Sequence, residues 1–448
     1  MQRHALSLLT VGSVLGLTMG AGASTDTDVI NELREQVSAL QNEVNSLRNG
    51  SDDNWMTEQR ANEIRSLVHD VLADADTRAS LLQSGMGAGH DGRFFLASSD
   101  GNFRMNISGR TQLRYVYNYQ DNSPDDNHRS GFELRRTRLN FAGHVVNPNW
   151  TYQIQGDFNR SGGGFRLLDG WLGYTMDNGI RVRGGQFRPG FFYEDSNSSA
   201  RQQLVERSLV NAAFAQGRTQ GIEFSGNAGD NIRWSAMYSE GFSNNTGTFG
   251  GGNVTPWQAR TTEYAFSGRV DFLAAGNWRQ FRDFSSWSDE EFGARIGAGL
   301  IWQQEEFGTT DDGEVETFRW TIDASVAFGG ANVFAAFVGN HEDTNDGGSV
   351  DQYGLVVQGG FFFVPDEWEA FVRYEWGDAD SASIKDLSVV TFGATRYFAG
   401  HNAKWTTDIG IGINEVDSFW APSGAGWRAD ASGEDTQVVI RSQFQLAF

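Results

Sequence analysis

Residues 103–119 read FRMNISGRTQLRYVYNY. Phe103, Met105, Ile107, Leu113, Tyr115, Tyr117 and Tyr119 share one parity, and Arg104, Asn106, Ser108, Arg110, Gln112 and Arg114 take the other. A period of two with a change of polarity at each step is a strand with one oily and one wet face. The same reading holds downstream. Trp150, Tyr152, Ile154 and Phe158 oppose Thr151, Gln153, Gln155 and Asp157. Phe292, Ala294, Ile296, Ala298, Leu300 and Trp302 oppose Arg295 and Gln303, and Trp405, Thr407, Ile409, Ile411 and Ile413 oppose Lys404, Asp408 and Asn414.

Strands are expected at 103–119, 132–146, 150–159, 165–176, 180–188, 220–228, 231–240, 263–273, 292–303, 318–328, 332–340, 352–363, 367–377, 387–398, 403–415 and 436–448, sixteen in all. Their connections alternate in length. Tight turns such as Asp177-Asn178-Gly179 and Gly329-Gly330 interleave with long polar or Gly-rich segments such as 189–219, 241–262 and 416–435. The link after Phe158 is short for that pattern, and 274–291 is long for an inner turn. Short turns on one side and long loops on the other point to a transmembrane barrel, closed so that no backbone edge meets lipid. A soluble β-sandwich would also alternate, burying its oily face. Strand ends favour the barrel: Tyr115, Tyr117, Tyr119, Trp150, Trp302, Trp368, Trp376 and Trp405 cluster there on the apolar parity, as an interfacial girdle requires. The expected fold is therefore all-β, a 16-stranded antiparallel transmembrane β-barrel over residues 100–448. The last run ends in Phe448 after Val438, Ile440, Phe444 and Leu446 on its parity, and it resembles the insertion signal of bacterial barrel proteins.

Composition removes other classes. The chain has no Cys and seven His without ligand spacing, so neither a thiolate site nor a His-built metal centre is expected, nor any cofactor. A formal charge of −22 argues against nucleic acid as a partner. A G-x-G-x-x-G at Gly87, Gly89 and Gly92 has no strand before it or helix pattern after it, and carries no dinucleotide reading. Asp343, Asn345, Asp346 and Gly347 start like a calcium loop, but Gly354 stands where its bidentate Glu belongs. No nucleophile motif occurs, so an enzyme is not expected.

Ahead of the barrel, residues 1–23 read as a secretory signal peptide, with a basic start, an apolar stretch and Ala21-Gly22-Ala23. Residues 24–84 read as a periplasmic helical extension. Ile30, Leu33, Val37, Leu40, Val44 and Leu47 form a short heptad seam, a coiled coil implying self-association, and 57–83 carries a second apolar stripe. Residues 85–99 read as a Gly-rich linker. The address is the outer membrane of a Gram-negative-type envelope, with lipid and the barrel-assembly machinery as partners.

Three segments, GFELRRTRLNFAG at 131–143, GQFRPGFFYEDSNSSARQQLVERS at 185–208 and GRTQGIEFSG at 217–226, together resemble the phosphate-selective porin O and P family. The resemblance covers roughly 100–448. It implies a trimeric channel narrowed by a loop folded inward, here about 189–219. Phosphate-selecting members carry an Arg ladder and a Lys cluster. This chain has only Lys385 and Lys404, so phosphate specificity does not carry over.

With the wet parity inside, Arg104, Arg110, Arg114, Arg136, Arg138, Arg181, Arg183 and Arg233 are expected to line the pore, followed by Arg269, Arg295, Arg319, Arg373, Arg396, Lys404 and Arg441. Inward acids are expected at Asp157, Asp169, Glu223, Glu263, Asp271, Asp323, Glu369, Glu375 and Asp408. Candidates for the constriction loop are Arg188, Glu194, Asp195, Arg201, Glu206, Arg207 and Arg218, whose four bases and three acids leave the sign open. The expected function is passive diffusion of small hydrophilic solutes with anion preference. The alternative is an envelope tether, reaching toward the cell wall through the helices and anchored by the barrel.

Overall fold

The computed structural model describes residues 34–42, 45, 65–69, 86–121, 127–158, 160, 162–242, 262–306, 314–345, 347–382, 384–430 and 436–448. The chain divides into two units, Met1–Leu81 and Leu82–Phe448. In the first, residues 34–42 and 65–69 are helical, and Leu40 is exposed. Val37 of the seam is half-buried there; its positions 30, 33, 44 and 47, and the expected signal peptide, lie outside the described residues.

The second unit opens with a hairpin, β1 (Met86–His90) and β2 (Phe94–Ser98), where a linker was expected. Sixteen strands follow: β3 (Arg104–Gln120), β4 (His128–Val145), β5 (Asn147–Phe158), β6 (Phe165–Thr175), β7 (Arg181–Phe187), β8 (Thr219–Ala228), β9 (Ile232–Ser239) and β10 (Thr262–Ala275). The series continues through β11 (Gly293–Glu306), β12 (Glu314–Ala327), β13 (Ala331–Thr344), β14 (Gly348–Val364), β15 (Trp368–Asp378), β16 (Leu387–Ala399), β17 (Ala403–Gly412) and β18 (Gln437–Ala447). Each of these pairs antiparallel with the next, and β18 returns to β3 from Gln437↔Gln120 to Ala447↔Arg110, closing a 16-stranded barrel. The hairpin lies beside the first residues of β3.

Burial is inverted relative to a water-soluble protein. Leu113, Trp150, Ile154, Leu172, Phe224, Phe266, Ile296, Trp302, Ile322, Phe361, Val372, Trp405 and Phe444 are exposed, whereas Gln112, Arg114, Arg269, Asp323, Arg373, Thr395, Asp408 and Arg441 are buried. A sandwich would bury the first set. Only a solvent of hydrocarbon makes the observed choice favourable, because no aqueous protein exposes a band of that extent. No described helix is long and apolar enough to cross a membrane, so the crossing is made by strands.

The closing seam has its own packing. Gly109 and Phe448 exchange both backbone hydrogen bonds at 3.0 Å. The Phe448 ring lies where a Cβ on residue 109 would stand, 2.6 Å from its Cζ. Glycine is required there by the ring, not by its own dihedral.

Three connections fold into the barrel. The first, 188–218, carries two short helices, α1 (Tyr193–Ser196) and α2 (Leu209–Phe214). Buried loop backbone must find partners, and the wall supplies them. Arg269 Nη1 donates to Phe191 O at 3.0 Å, Lys404 Nζ to Gln202 O at 2.6 Å, Arg373 Nη1 to Glu206 O at 3.0 Å and Arg319 Nη1 to Phe214 O at 2.8 Å, while Asp408 Oδ2 accepts from Val205 N at 3.0 Å. Six of the loop's apolar side chains, Phe191, Phe192, Tyr193, Leu209, Val210 and Phe214, join a hydrophobic cluster inside the barrel.

The second is the described part of the last connection, 413–430. Expected as a polar outer loop, it instead buries Trp420 and Trp427 in the same cluster, packed over Gly377 and Gly410, where a Cβ would meet the indole rings at 2.5 and 2.7 Å. The third is 276–292, the turn too long for its side. It turns through a 3-10 segment at Gln280–Arg282 and buries Phe281, Phe284, Ser285 and Ser286.

Candidate functional site

Inside the barrel, at the end where the turns are short, lies a cavity of about 1280 Å³. Its wall is drawn from β3 (Ser108, Arg110), β4 (Arg138, Asn140), β5 (Gln153, Gln155), β6 (Asp169, Trp171) and β7 (Arg183, Phe187). The inward loop adds Arg188, Asp195, Arg201 and Arg207, and its end adds Arg218. Arg279 and Arg282 come from the inward turn, and His90, Asp91 and Arg93 from the tip of the β1–β2 hairpin. Ten arginines therefore face three aspartates across the lining.

The carboxylates are already engaged. Asp169 accepts from Arg218 Nε and Nη2 at 3.0 and 3.1 Å, Asp195 pairs with Arg188, and Asp91 takes Arg104 at 2.6 Å. Arg183 is held bidentate by Glu223 at 2.8 and 2.9 Å and lies over the Phe187 ring, 3.9 Å from its centroid. Arg138 stands 3.3 Å from Asp157. Among the described residues, Arg93, Arg110, Arg201, Arg279 and Arg282 have no carboxylate within 4.0 Å, so their charge falls on the cavity. Positive lining in a water-filled space with low-dielectric walls raises the local concentration of anions and depletes cations.

Not every expected lining residue reaches this space. Arg110, Arg138 and Arg183 do. Arg114 and Arg136 are buried behind the inward loop, where both bind Glu206, at 2.7 Å each. Arg104 sits at the hairpin over the Phe95 ring, Arg181 lies over Trp171 with its centroid 4.6 Å away, and Arg233 lines a neighbouring cavity. Arg396 lies on the lipid parity of β16, whose inward residues are Thr391, Thr395 and Tyr397; it pairs with Glu367 at the rim. Glu263 is exposed, beside a register shift in β10.

The loop candidates divide by role. Glu206 takes Arg114, Arg135 and Arg136 together, and Glu194 accepts from Ser208 N and Oγ at 2.8 and 2.5 Å and stands 3.6 Å from Arg373. Both carboxylates are spent on holding the loop to the wall. Arg188, Asp195, Arg201, Arg207 and Arg218 face the cavity. Of the seven, the two glutamates are turned away from the cavity, whereas the four arginines and Asp195 face it.

Arg135 escaped the parity rule because a bulge between Gln112 and Leu113 of β3, opposite Arg136 and Leu134, inserts it as an extra residue, and its Nε then reaches Glu206 at 2.5 Å. Arg279 and Arg282 had a signal in the excess length of their turn. Arg93 had none, since its hairpin read as linker.

Two titratable groups outside the strands mark how the inward turn is held. Burial, aided by the Lys404 charge, lowers the His401 pKa, so the ring is neutral beside Asp283 at 3.3 Å. Burial and the neighbouring Asp283 charge raise Glu290 to about 7. Among the described residues no cluster of His, Cys, Asp and Glu could hold a metal ion.

The sequence model of the family described as phosphate-selective porin O and P matches residues 106–402. The chain belongs to that family. The porin's barrel is also similar to solved structures. An anion-selective porin from Comamonas acidovorans superposes with a TM-score of 0.55 at 13% identity, covering 77% of this chain and 99% of the other. The outer-membrane channel DcaP of Acinetobacter baumannii gives 0.53 at 12%, covering 78% and 99%. OmpF of Salmonella typhi, in complex with daunomycin, gives 0.50 at 12%, covering 78% and 98%. No curated protein matches the porin sequence. These likenesses establish the fold; family and fold together make the porin an outer-membrane channel.

Proposed function

We propose that this porin passes small hydrophilic anions by passive diffusion. The observation that carries the reading is the ten-to-three excess of arginine over aspartate around the large cavity, with five guanidinium groups that have no carboxylate within 4.0 Å among the described residues. Arginine without lysine favours planar, two-pronged contact with carboxylate or phosphate oxygens over a point-charge interaction. The anion-selective Comamonas porin shares the fold and supports the same reading. With only Lys385 and Lys404 in the chain, the Lys cluster of phosphate-selecting members has no counterpart, so general anion preference is the function assigned and phosphate specificity is not.

The porin is further proposed to work as a homotrimer, with residues 24–84 as a periplasmic helical stalk whose seam joins the three chains or reaches toward the cell wall. The exposed Leu40 on a helical segment supports the seam. Reversal potentials across planar bilayers in a KCl gradient test the main claim. Anion selectivity is expected, and cation selectivity would reject it.

A further inference from the structure

The closing seam of the barrel stops short of its short-turn end. β4 takes one edge of β3 from Arg104 to Tyr119, whereas β18 takes the other only from Arg110 to Gln120, with Phe448 bonded to Gly109. Beneath that point the second edge passes to β2, in four pairs from Phe94↔Ile107 to Ala97↔Arg104. The β1–β2 hairpin therefore completes the wall under Phe448, and its tip, His90 to Arg93, lines the large cavity together with Arg110, His401 and Phe448. We propose that this hairpin is a hinged flap, which swings on residues 99–102 and sets the width of the channel's short-turn mouth. The proposal concerns access to the channel and does not rest on the sign of its selectivity.

The hairpin is firm within itself and lightly attached to the barrel. Phe95 of β2 covers Gly89 of β1, its Cζ 2.7 Å from where a Cβ on residue 89 would stand, and His90 meets the Phe94 ring edge-on at 5.1 Å. These contacts keep the two strands moving as one body. Each barrel strand is paired along both edges, but β2 meets the barrel over four residues, and among the described residues β1 has a register with β2 alone. β1 is exposed at every position except Gly89. A two-stranded ribbon on so short an attachment opens ahead of the fold that carries it.

Latch and hinge are separate. Arg104 of β3 donates to Asp91 at the tip at 2.6 Å and lays its guanidinium over the Phe95 ring, 4.1 Å from the centroid. That ion pair is open to water, which competes for both partners. Residues 99–102 form a tight turn: Gly101 takes a φ of 72°, Asp100 accepts from Asn102 N and Nδ2 at 2.9 Å each, and His144 Nε2 of β4 lies 2.9 Å from Gly101 O. The base of the hairpin is thereby fixed to the wall while its tip is held by one side chain, the arrangement of a hinge. Swung away, the flap takes Asp91 and Arg93 out of the lining and bares the edge of β3 from Arg104 to Ile107, so the mouth widens. The chain enters the flap through β1, its outer strand, and a load on the preceding residues reaches the flap before the barrel wall.

The chain has no Cys, so an engineered pair is the only one present. Ser98 N donates to Phe103 O, and alternation along the ladder then makes Phe95 and Asn106 a non-hydrogen-bonded pair, the closer kind, with Cα atoms about 4.5 Å apart and within disulfide reach. Single channels of the double variant Phe95→Cys, Asn106→Cys are recorded oxidised and then reduced, with the cross-link verified by mass. Wild type and the reduced variant should switch between two current levels, and the oxidised variant should hold the lower one. Arg104→Gln, with the latch gone, should raise the occupancy of the higher level relative to the lower about fivefold. Amide exchange reads the same motion without current: in wild type, residues 94–97 should exchange at least about tenfold faster than 437–445 on the same edge of β3, and Arg104→Gln should quicken 94–97 alone. Identical currents in the oxidised and reduced states would show that the hairpin does not set the mouth. Exchange of 94–97 as slow as that of 437–445 would show that it does not hinge. Either result overturns the proposal and leaves the reversal potential in a KCl gradient, and the reading drawn from it, untouched.

Discussion

Replacing Arg201 by Gln removes one unpaired charge from the wall common to both cavities without breaking an ion pair. The size of the effect follows from Coulomb's law. An ion passing about 5 Å from the guanidinium in a water-filled lumen feels about 0.8 kcal/mol, and at 0.1 M salt a Debye length of about 10 Å reduces this to about 0.5 kcal/mol. Removal should lower local anion concentration about 2.3-fold and raise that of cations about 2.3-fold, moving the anion-to-cation permeability ratio about fivefold toward cations. Reversal potentials in a KCl gradient, compared with wild type, measure that ratio. The difference should shrink as salt rises to 1 M, where the screening length is about 3 Å. A ratio that stays within twofold of wild type at low salt would refute the assignment of this lining to the conducting path. An effect that survives 1 M salt would show that the loop had moved rather than that a charge was lost.

Glu206→Gln should leave the buried Arg136 and the half-buried Arg135 around a neutral amide, and Arg114 with Glu133 alone, and cost about 3–5 kcal/mol, seen as greater open-channel noise and easier proteolysis of 188–218 in a barrel that still runs folded on unheated gels. Glu290 has a folded pKa of about 7, above the ordinary carboxylate value, so the folded turn holds a proton that the released turn gives up between roughly pH 4.5 and 7. The stabilisation is therefore present at low pH and lost as pH rises through 7: amide exchange across 276–292 should quicken from pH 5 to pH 8 after correction for the intrinsic rate, and Glu290→Gln should flatten that change. Gly109→Val places a side chain against the Phe448 ring and the Arg138 carbonyl, at 2.6 and 3.0 Å from a Cβ, and should lower the yield of folded barrel by about 1–3 kcal/mol of overpacking.

The barrel was legible because alternation repeats in every strand and closure multiplies its consequence. An error of one residue in a boundary leaves parity intact, which is why all sixteen strands could be placed from polarity alone. Parity fails where the ladder is irregular. Arg135 enters through a bulge, and Glu263 adjoins a register shift. Arg396 shows another failure, since a long basic side chain at the rim can lie on the lipid parity over Trp368 and Phe398 and still find Glu367. What fills the lumen was less legible. Trp420 and Trp427 lie in a segment rich in Gly, Pro and Ser that reads as an outer loop, and nothing local says that Gly377 and Gly410, far away in sequence, leave room for two indoles.

The same separation explains how a chain of formal charge −22 builds a positive channel. Counting residues by sign could not give the selectivity, because within the barrel wall acids and bases are nearly all spent on one another and on the loop. Asp408 holds Arg441 at 2.7 and 3.0 Å and Val205 N, and Asp323 holds Arg269 and Arg295. These pairs fix where the inward loop runs and contribute no net field to the lumen. Selectivity belongs to the remainder, the few guanidinium groups for which the fold supplies no carboxylate, and those sit on the loop, the inward turn and the hairpin tip as well as on the wall. Moving a loop carboxylate such as Asp195 out of the lining should therefore change selectivity more than removing any buried wall pair, whose loss is felt first as stability.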